Sequence, residues 1–314
     1  MEEKRNFDLL TLGQVLLRLS PPNNDRLVRG DTFVKQVGGA ELNVAVGVAL
    51  LGLRTGVISK LPSHDMGSFM KGKIRSYGVS DDFFMYDDSP SARVGIYYYE
   101  NGAYPRKPKV IYDRANSSFY SLKIDEIPEK AYTASRCFHT SGITLALSPK
   151  VRETAIEMIK RFKAAGTLVS FDVNFRGNLW TGEEAKECIE QILPYVDIFF
   201  CSEDTARLTF KKTGTAREMM KSFTEEYPIS IVASTQRIVH SPKSHTFGSI
   251  IYDARKDIYY EEEPYRDIDV VDRIGSGDAY ISGALYGLLT SDFDCEKAVR
   301  YGNATSAVKN TIPG

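Results

Sequence analysis

Cysteine is scarce in this chain, with 4 among 314 residues. Cys137, Cys188, Cys201 and Cys295 stand far apart without C-x-x-C spacing, which excludes a disulfide framework and a thiolate zinc site. Buried free thiols are the expectation. Long apolar runs are missing, and the opening MEEKRNFDLLTLG lacks the apolar core and cleavage site of a secretory leader. No membrane partner and a cytoplasmic location are therefore expected. Net charge is nearly absent: 40 basic residues face 41 acidic ones, leaving -1. No overall field draws nucleic acid to the chain, so any anion site must be built locally. Neither G-x-x-x-x-G-K-[ST] nor G-x-G-x-x-G occurs, which removes the P-loop and dinucleotide signatures.

What is present alternates. FDLLTLG (7–13), TGVISKL (55–61), TLVSFDVN (167–174), VDIFFCS (196–202) and ISIVAST (229–235) read as buried strands. Between them, GAELNVAVGVALLG (39–52) and MGSFMKGKIRSYG (66–78) read as helices, and Val151, Ala155, Ile159 and Phe162 share one helical face ending at Gly166. RVGIYYYE and KVIYDR, joined by NGAYPRKP, break this rhythm as an aromatic hairpin of a separate small sheet, suited to cover a pocket. The pattern predicts a doubly wound, mostly parallel α/β sheet flanked by helices, with a small β appendage. Ligands of such sheets bind beyond the carboxyl ends of the strands, which directs attention to Asp172, Asn174, Arg176 and the segment Ser202 to Asp204. Trp180, the single tryptophan, is expected to pack rather than bind.

Two stretches carry chemistry. In DVVDRIGSGDAYISGA, Gly275, Ser276 and Gly277 precede Asp278 at the start of an apolar helical run. Backbone N–H groups at a helix N-terminus, with about half a unit of positive charge from the macrodipole, suit a phosphate or developing oxyanion. Asp278 beside them is placed to accept a hydroxyl proton. The plainer alternative is an acid favoured by the dipole in a first helical turn. In VGGAELNVAVGVALLG, Gly38 and Gly39 permit close backbone approach, and Asn43 offers both donor and acceptor to a sugar hydroxyl. Close helix packing through small residues is the alternative there.

Together these stretches resemble the two signatures of the ribokinase-like carbohydrate kinases of the PfkB family. The first is carried by Gly38, Gly39, Asn43 and Ala45, and the second by Asp272, Gly275, Ser276, Gly277 and Asp278. The resemblance covers almost the whole chain. It implies one ribokinase-like domain over 1–314, with lid strands within about 14–37 and 93–115. TLGQVLLRLSPP, KVIYDRANSSF, FHTSGITLAL, FDVNFRGNLW and DRIGSGDAY are similar to the branch that phosphorylates 2-keto-3-deoxygluconate. What that branch implies is transfer of the ATP γ-phosphoryl group, with Mg2+, to the terminal hydroxyl of a six-carbon sugar acid. Asp278 would be the base, with Arg176 assisting, and Gly275, Ser276 and Gly277 the anion hole. Gly38, Gly39, Asn43, Tyr97, Tyr112, Arg114, Ile143 and Arg176 fall on substrate positions. Asn174, Ser202, Ser234, Gly275, Gly277 and Asn303 fall on nucleotide positions. An acidic substrate suits Arg114, since charge-assisted bonds are about twice as strong as neutral ones. A surface cation in a basic hairpin is its other reading. Arg176 is likewise read as near substrate and phosphates, or paired with Asp172. The family's β lid also implies a homo-oligomer.

The chain departs from the family in three places. The N-x-x-E motif tied to magnesium is replaced by Ser202-Glu203-Asp204-Thr205, leaving Glu203 or Asp204 as candidate metal carboxylates. STQRIVHSPKSHTFGS (234–249) replaces the usual glycine-containing nucleotide loop, and relatives generally run on beyond NTIPG. A neutral-sugar kinase for fructose or ribose, or a non-catalytic sensor of sugar or nucleotide, are the competing expectations.

Overall fold

The computed structural model describes residues 5–103 and 105–314. The chain starts with β1 (Phe7–Leu12), β2 (Leu16–Ser20), β3 (Val34–Gly38), α1 (Ala40–Leu50), β4 (Thr55–Pro62), α2 (Asp65–Ser76), β5 (Val79–Ser80) and β6 (Phe84–Asp87). It continues with β7 (Gly95–Glu100), β8 (Lys109–Asp113), β9 (Ser135–Ser141), α3 (Gly142–Ala146), α4 (Pro149–Ala164) and β10 (Leu168–Asp172). Then come α5 (Gly182–Glu190), β11 (Ile198–Phe200), α6 (Glu203–Leu208), α7 (Ala216–Glu226), β12 (Ile231–Ser241) and β13 (Ser244–Asp253). The last elements are β14 (Ile258–Glu261), β15 (Tyr265–Asp269), α8 (Ser276–Thr290) and α9 (Cys295–Asn310).

Among the described residues the main sheet has 11 strands and runs β14-β13-β12-β11-β10-β9-β1-β4-β5, with β6 on β4 and β15 on β13. From β12 to β5 the pairs are parallel, and β13 to β15 add an antiparallel edge. Helices cover both faces, so strand residues are buried on either side. On β1, Leu10 and Leu12 face one core and Leu9 the other; on β11, Phe199 and Ile198 divide the same way. The first core takes α4, α5 and α7 through Phe162, Ile189 and Phe223, and the second takes α1, α8 and α9 through Val48, Leu285 and Val299.

The local signals act as expected. The face of α4 carrying Val151, Ala155, Ile159 and Phe162 is buried. Ser148 caps this helix by accepting from the Val151 N–H at 3.2 Å, a contact worth about 1 kcal/mol. The helix read as 66–78 starts one residue earlier, because His64 caps it by accepting from the Met66 N–H. All four cysteines are free and buried.

A separate sheet of order β3-β2-β7-β8 carries the aromatic hairpin. Its β3 ends at Gly38, one residue beyond the expected strand. The segment 234–249, which departs from the family's glycine-containing loop, is the body of the long β12–β13 hairpin, paired from Ile231–Asp253 to Ser241–Ser244. Its run of Ile238 and Val239 favours an extended chain over a turn.

Candidate active site

A cavity of about 750 Å³ opens at the carboxyl ends of β10 and β11, beneath the small sheet. Its lining includes Asn43, Tyr97, Tyr112, Arg114, Ile143, Asn174, Arg176, Ser202, Gly275, Ser276, Gly277 and Asp278. Twelve positions singled out from sequence thus converge on one space, as does Gly39.

The floor is the start of α8. Gly275 adopts φ +81, the left-handed region glycine tolerates, and so turns the chain into the helix. The N–H groups of Gly277 and Asp278 lie in the first turn, where a helix supplies no acceptor. A Cβ built on Gly277 meets nothing within 4 Å, so this turn faces open space. Ser276 contributes differently. Its N–H is engaged by the Arg273 carbonyl at 3.3 Å, while its hydroxyl accepts from Arg237 Nη2 at 2.9 Å.

Asp278 accepts a hydrogen bond from Asn43 Nδ2 at 2.7 Å. Desolvation pushes its carboxyl up to about 6, against the pull of Asn43, Arg176 and Lys309. Asp172, at the end of β10, is pushed to about 7 by desolvation and by the charge of Asp278. The cavity therefore holds two carboxyl groups that titrate near neutrality, a property suited to a general base.

The opposite wall comes from the small sheet. Tyr97 on β7 stands 5.9 Å, ring to ring, from Tyr112 on β8. Arg114 follows β8 and is 9 % exposed, so it is no surface cation. Its Nε donates to Gln14 Oε1 at 2.7 Å, and Gln14 Nε2 donates back to the Arg114 carbonyl at 3.1 Å and to Ser117 at 2.6 Å. Among the described residues, its terminal guanidinium nitrogens have no hydrogen bond and no ion pair. Desolvation draws its pKa below the ordinary value. Beneath it, buried Glu41 accepts from the hydroxyls of Ser141 at 2.6 Å and Thr144 at 2.7 Å. These bonds fix the start of α3, where Ile143 lines the cavity.

Arg176 is exposed to the cavity and donates to the Phe175 carbonyl at 3.1 Å. It does not ion-pair with Asp172, whose Oδ1 instead accepts from the Asn174 N–H at 3.1 Å. That bond holds Asn174 at φ +37.

Four sequence-selected positions are not part of the lining. Gly38 lies behind Asn43 and Tyr97, whose polar atoms would stand 3.4 and 3.6 Å from an added Cβ. Ser234 is buried within β12, where its neighbours Ala233 and Thr235 reach the cavity instead. Asn303 is buried between α9 and β13, accepting from Ser249 at 2.7 Å. Glu203 pairs with Arg207 at 2.9 Å one helical turn away, leaving Asp204 to line the cavity. Trp180 packs in the first core.

Two arginines of the lining, Arg237 and Arg273, escaped the sequence reading. For Arg237 a signal existed: Thr235 and Arg237 occur at strand spacing and so share a face. Both side chains add positive charge around the α8 start, and neither has an ion-pair partner among the described residues.

The site is matched by known proteins over its whole frame. Residues 6–314 match the pfkB family carbohydrate kinase model. The chain is 34% identical over 307 residues to the 2-dehydro-3-deoxygalactonokinase of Haloferax volcanii, covering 98% of this chain and 92% of the relative. It is 28% identical over 307 residues to the 5-dehydro-2-deoxygluconokinase of Listeria monocytogenes, covering 97% and 90%. The crystal structure of 2-dehydro-3-deoxygluconokinase from Thermotoga maritima superposes with a TM-score of 0.92 at 32% identity, covering 98% of this chain and 95% of that one. A small sheet roofing a cavity, a glycine turn opening a helix toward it, and a match from the first strand to the last residue have one reading: the chain belongs to the pfkB family of carbohydrate kinases.

Proposed function

We propose that this kinase transfers the γ-phosphoryl group of ATP to the terminal hydroxyl of a six-carbon keto sugar acid, a 2-keto-3-deoxygluconate or its galactonate epimer. One observation carries the acid assignment. Arg114 is a buried guanidinium facing the cavity with its terminal nitrogens unpaired. Glu41 lies near enough to act on its charge but makes no ion pair with it. A desolvated cation whose terminal nitrogens meet no acceptor is costly, and a substrate carboxylate supplies a charged one. A neutral sugar would not. The relatives named for dehydro-deoxy galactonate and gluconate acceptors agree with this choice.

In this reading Arg114 and Tyr112 grip the carboxylate, while Asn43, Tyr97, Gly39 and Ile143 position the remaining chain. Asp278 takes the proton of the attacking hydroxyl, and the first-turn amides of α8 hold the charge growing on the transferred group. Arg176 screens the repulsion between acid substrate and phosphates, with Arg237 and Arg273 adding charge beside the α8 start. Asn174 and Ser202 border the nucleotide.

The fit to magnesium is a loose one. No cluster of three metal-ligating side chains occurs among the described residues. Asp172, Asp204 and Asp278 are the carboxylates of the lining. Such a site would suit an ion carried mainly by nucleotide phosphates and water, with Asp204 as the protein carboxylate that would assist in holding it. When bound, magnesium would neutralise charge on the phosphates.

The chain would act as one catalytic unit with the small sheet as its lid. Its edge strand β8 exposes Val110, Ile111 and Tyr112, which suits pairing of two lids in a homo-oligomer. No helix among the described residues is long and apolar enough to cross a membrane; a cytoplasmic location is part of the proposal. The test is ADP release with ATP and magnesium, comparing both epimeric keto acids with fructose and ribose. Turnover of an acid well above the neutral sugars supports the proposal; the reverse order removes it.

A further inference from the structure

The small sheet and the loop entering α8 are joined by one buried ion pair. Arg18 on β2 places Nη2 2.6 Å from Asp272 Oδ2, with side chains 4% and 2% exposed. Its Nε donates to Ser20 Oγ at 2.9 Å, and its guanidinium lies 4.4 Å from the centre of the Tyr99 ring. Among the described residues its Nη1 is buried without a partner.

Asp272 passes this anchor on to the site. Its Oδ1 accepts from the Ile274 N–H at 2.9 Å, shaping the turn that runs into Gly275. Its carbonyl accepts from Lys309 Nζ at 3.0 Å, and its Oδ2 also accepts from the Gly314 N–H at 3.3 Å. Ile274 then packs on Leu16, Tyr97 and Tyr99 of the small sheet. The sheet that lines the sugar side thus grips the loop that aims the first-turn amides.

Stability alone gives a weak reason for such a pair. Removing two charges from water is costly, and well-packed apolar side chains in their place are often neutral or better. The unpartnered Nη1 adds to that cost. What the pair does supply is a fixed geometry between two elements that share no backbone ladder.

We infer that Arg18 is a positioning residue: through Asp272 it fixes the Ile274–Gly275 turn, and so the direction of the amides that face the transferred phosphoryl group. The effect falls on turnover rather than on sugar binding. This inference rests on the phosphoryl-transfer reading above.

The test compares wild type, Arg18→Met, Asp272→Asn and the double variant by melting temperature, kcat, and KM for ATP and for 2-keto-3-deoxygluconate or its galactonate epimer. Each single variant leaves a buried polar group unmatched, so both melting temperature and kcat fall. In the double variant no unpaired charge remains and melting temperature recovers. Its kcat stays down by about 10²-fold, the scale of one lost anion-hole donor, while the sugar-acid KM moves little. Recovery of kcat together with melting temperature would make the pair purely structural and overturn the inference. If the double variant does not fold, Arg18→Lys decides. It keeps the charge without the planar fork, so kcat should fall while the fold persists, and wild-type kcat overturns the inference. A wild-type enzyme that turns over neither the keto acids nor fructose and ribose overturns the phosphoryl-transfer reading itself, and this inference with it. Turnover of a neutral sugar alone removes only the acid assignment, and the same variants are then read with that sugar.

Discussion

Asn43 Nδ2 lies 2.7 Å from Asp278 Oδ2, joining two stretches 235 residues apart in the chain. This bond favours the charged carboxylate and works against the desolvation that raises its pKa to about 6. Its removal should therefore raise the pKa further. For wild type, kcat/KM is expected to climb with pH through an apparent pKa near 6. Asn43→Ala should move that climb to higher pH, so that the loss at pH 6 shrinks at pH 8. A pH–rate profile with an unmoved midpoint would detach Asn43 from the titrating group.

Asp278→Asn should cut kcat by about 10²–10⁴, the usual share of a positioned base. Stability should move the other way. The folded-state pKa, about 6, lies above the ordinary 3.8, so the ionised form at pH 8 opposes folding and protonation favours it. That cost is absent below the unfolded pKa and grows as pH rises through the folded one. Melting curves of the variant should therefore gain on wild type at pH 8 and converge with it toward pH 4. A variant that melts lower at pH 8 would contradict this sign.

Gly277 separates a binding surface from a mere turn. An added Cβ there meets no atom within 4 Å, so Gly277→Ala and Gly277→Val should melt close to wild type. Both should lose turnover, Val more than Ala, because the new methyl groups occupy space beside the first-turn amides. Gly275→Ala should behave differently, losing stability as well, since φ +81 strains any side chain. Equal losses of melting temperature and turnover at Gly277 would restore the plain turn.

Much of the frame was legible because its signals are local. Strand runs, the α4 face and the glycine turn before α8 are written in adjacent residues. Asn43, Gly275, Ser276, Gly277 and Asp278 came from two short signatures, and the other lining positions from strand ends and from the resemblance to the keto-deoxygluconate branch. Arg114 shows the limit. Its sequence neighbours Arg106, Lys107 and Lys109 suggest a solvated basic hairpin, and only Gln14, 100 residues away, explains its burial. Asn303 shows another: its side chain accepts from Ser249 on β13 and is not part of the cavity lining, a direction its neighbours in the chain do not encode. Arg237 lies just past the run ISIVAST read as a strand, where continued strand pairing depends on a partner beyond the turn. Side-chain direction across elements is set by tertiary contacts that adjacent residues do not encode.

The acid-sugar assignment is tested most directly by Arg114→Ala, with kcat and KM measured at saturating ATP for the keto acid and for fructose. Losing a bond to a charged group costs about 1.5–3 kcal/mol. That corresponds to a roughly 10- to 100-fold rise in keto-acid KM. Turnover should fall far less, because the carboxylate is held equally before and during transfer. Fructose, lacking the carboxylate, should show no matching loss. An unchanged keto-acid KM in the variant, or a wild-type enzyme that prefers fructose, would contradict the assignment.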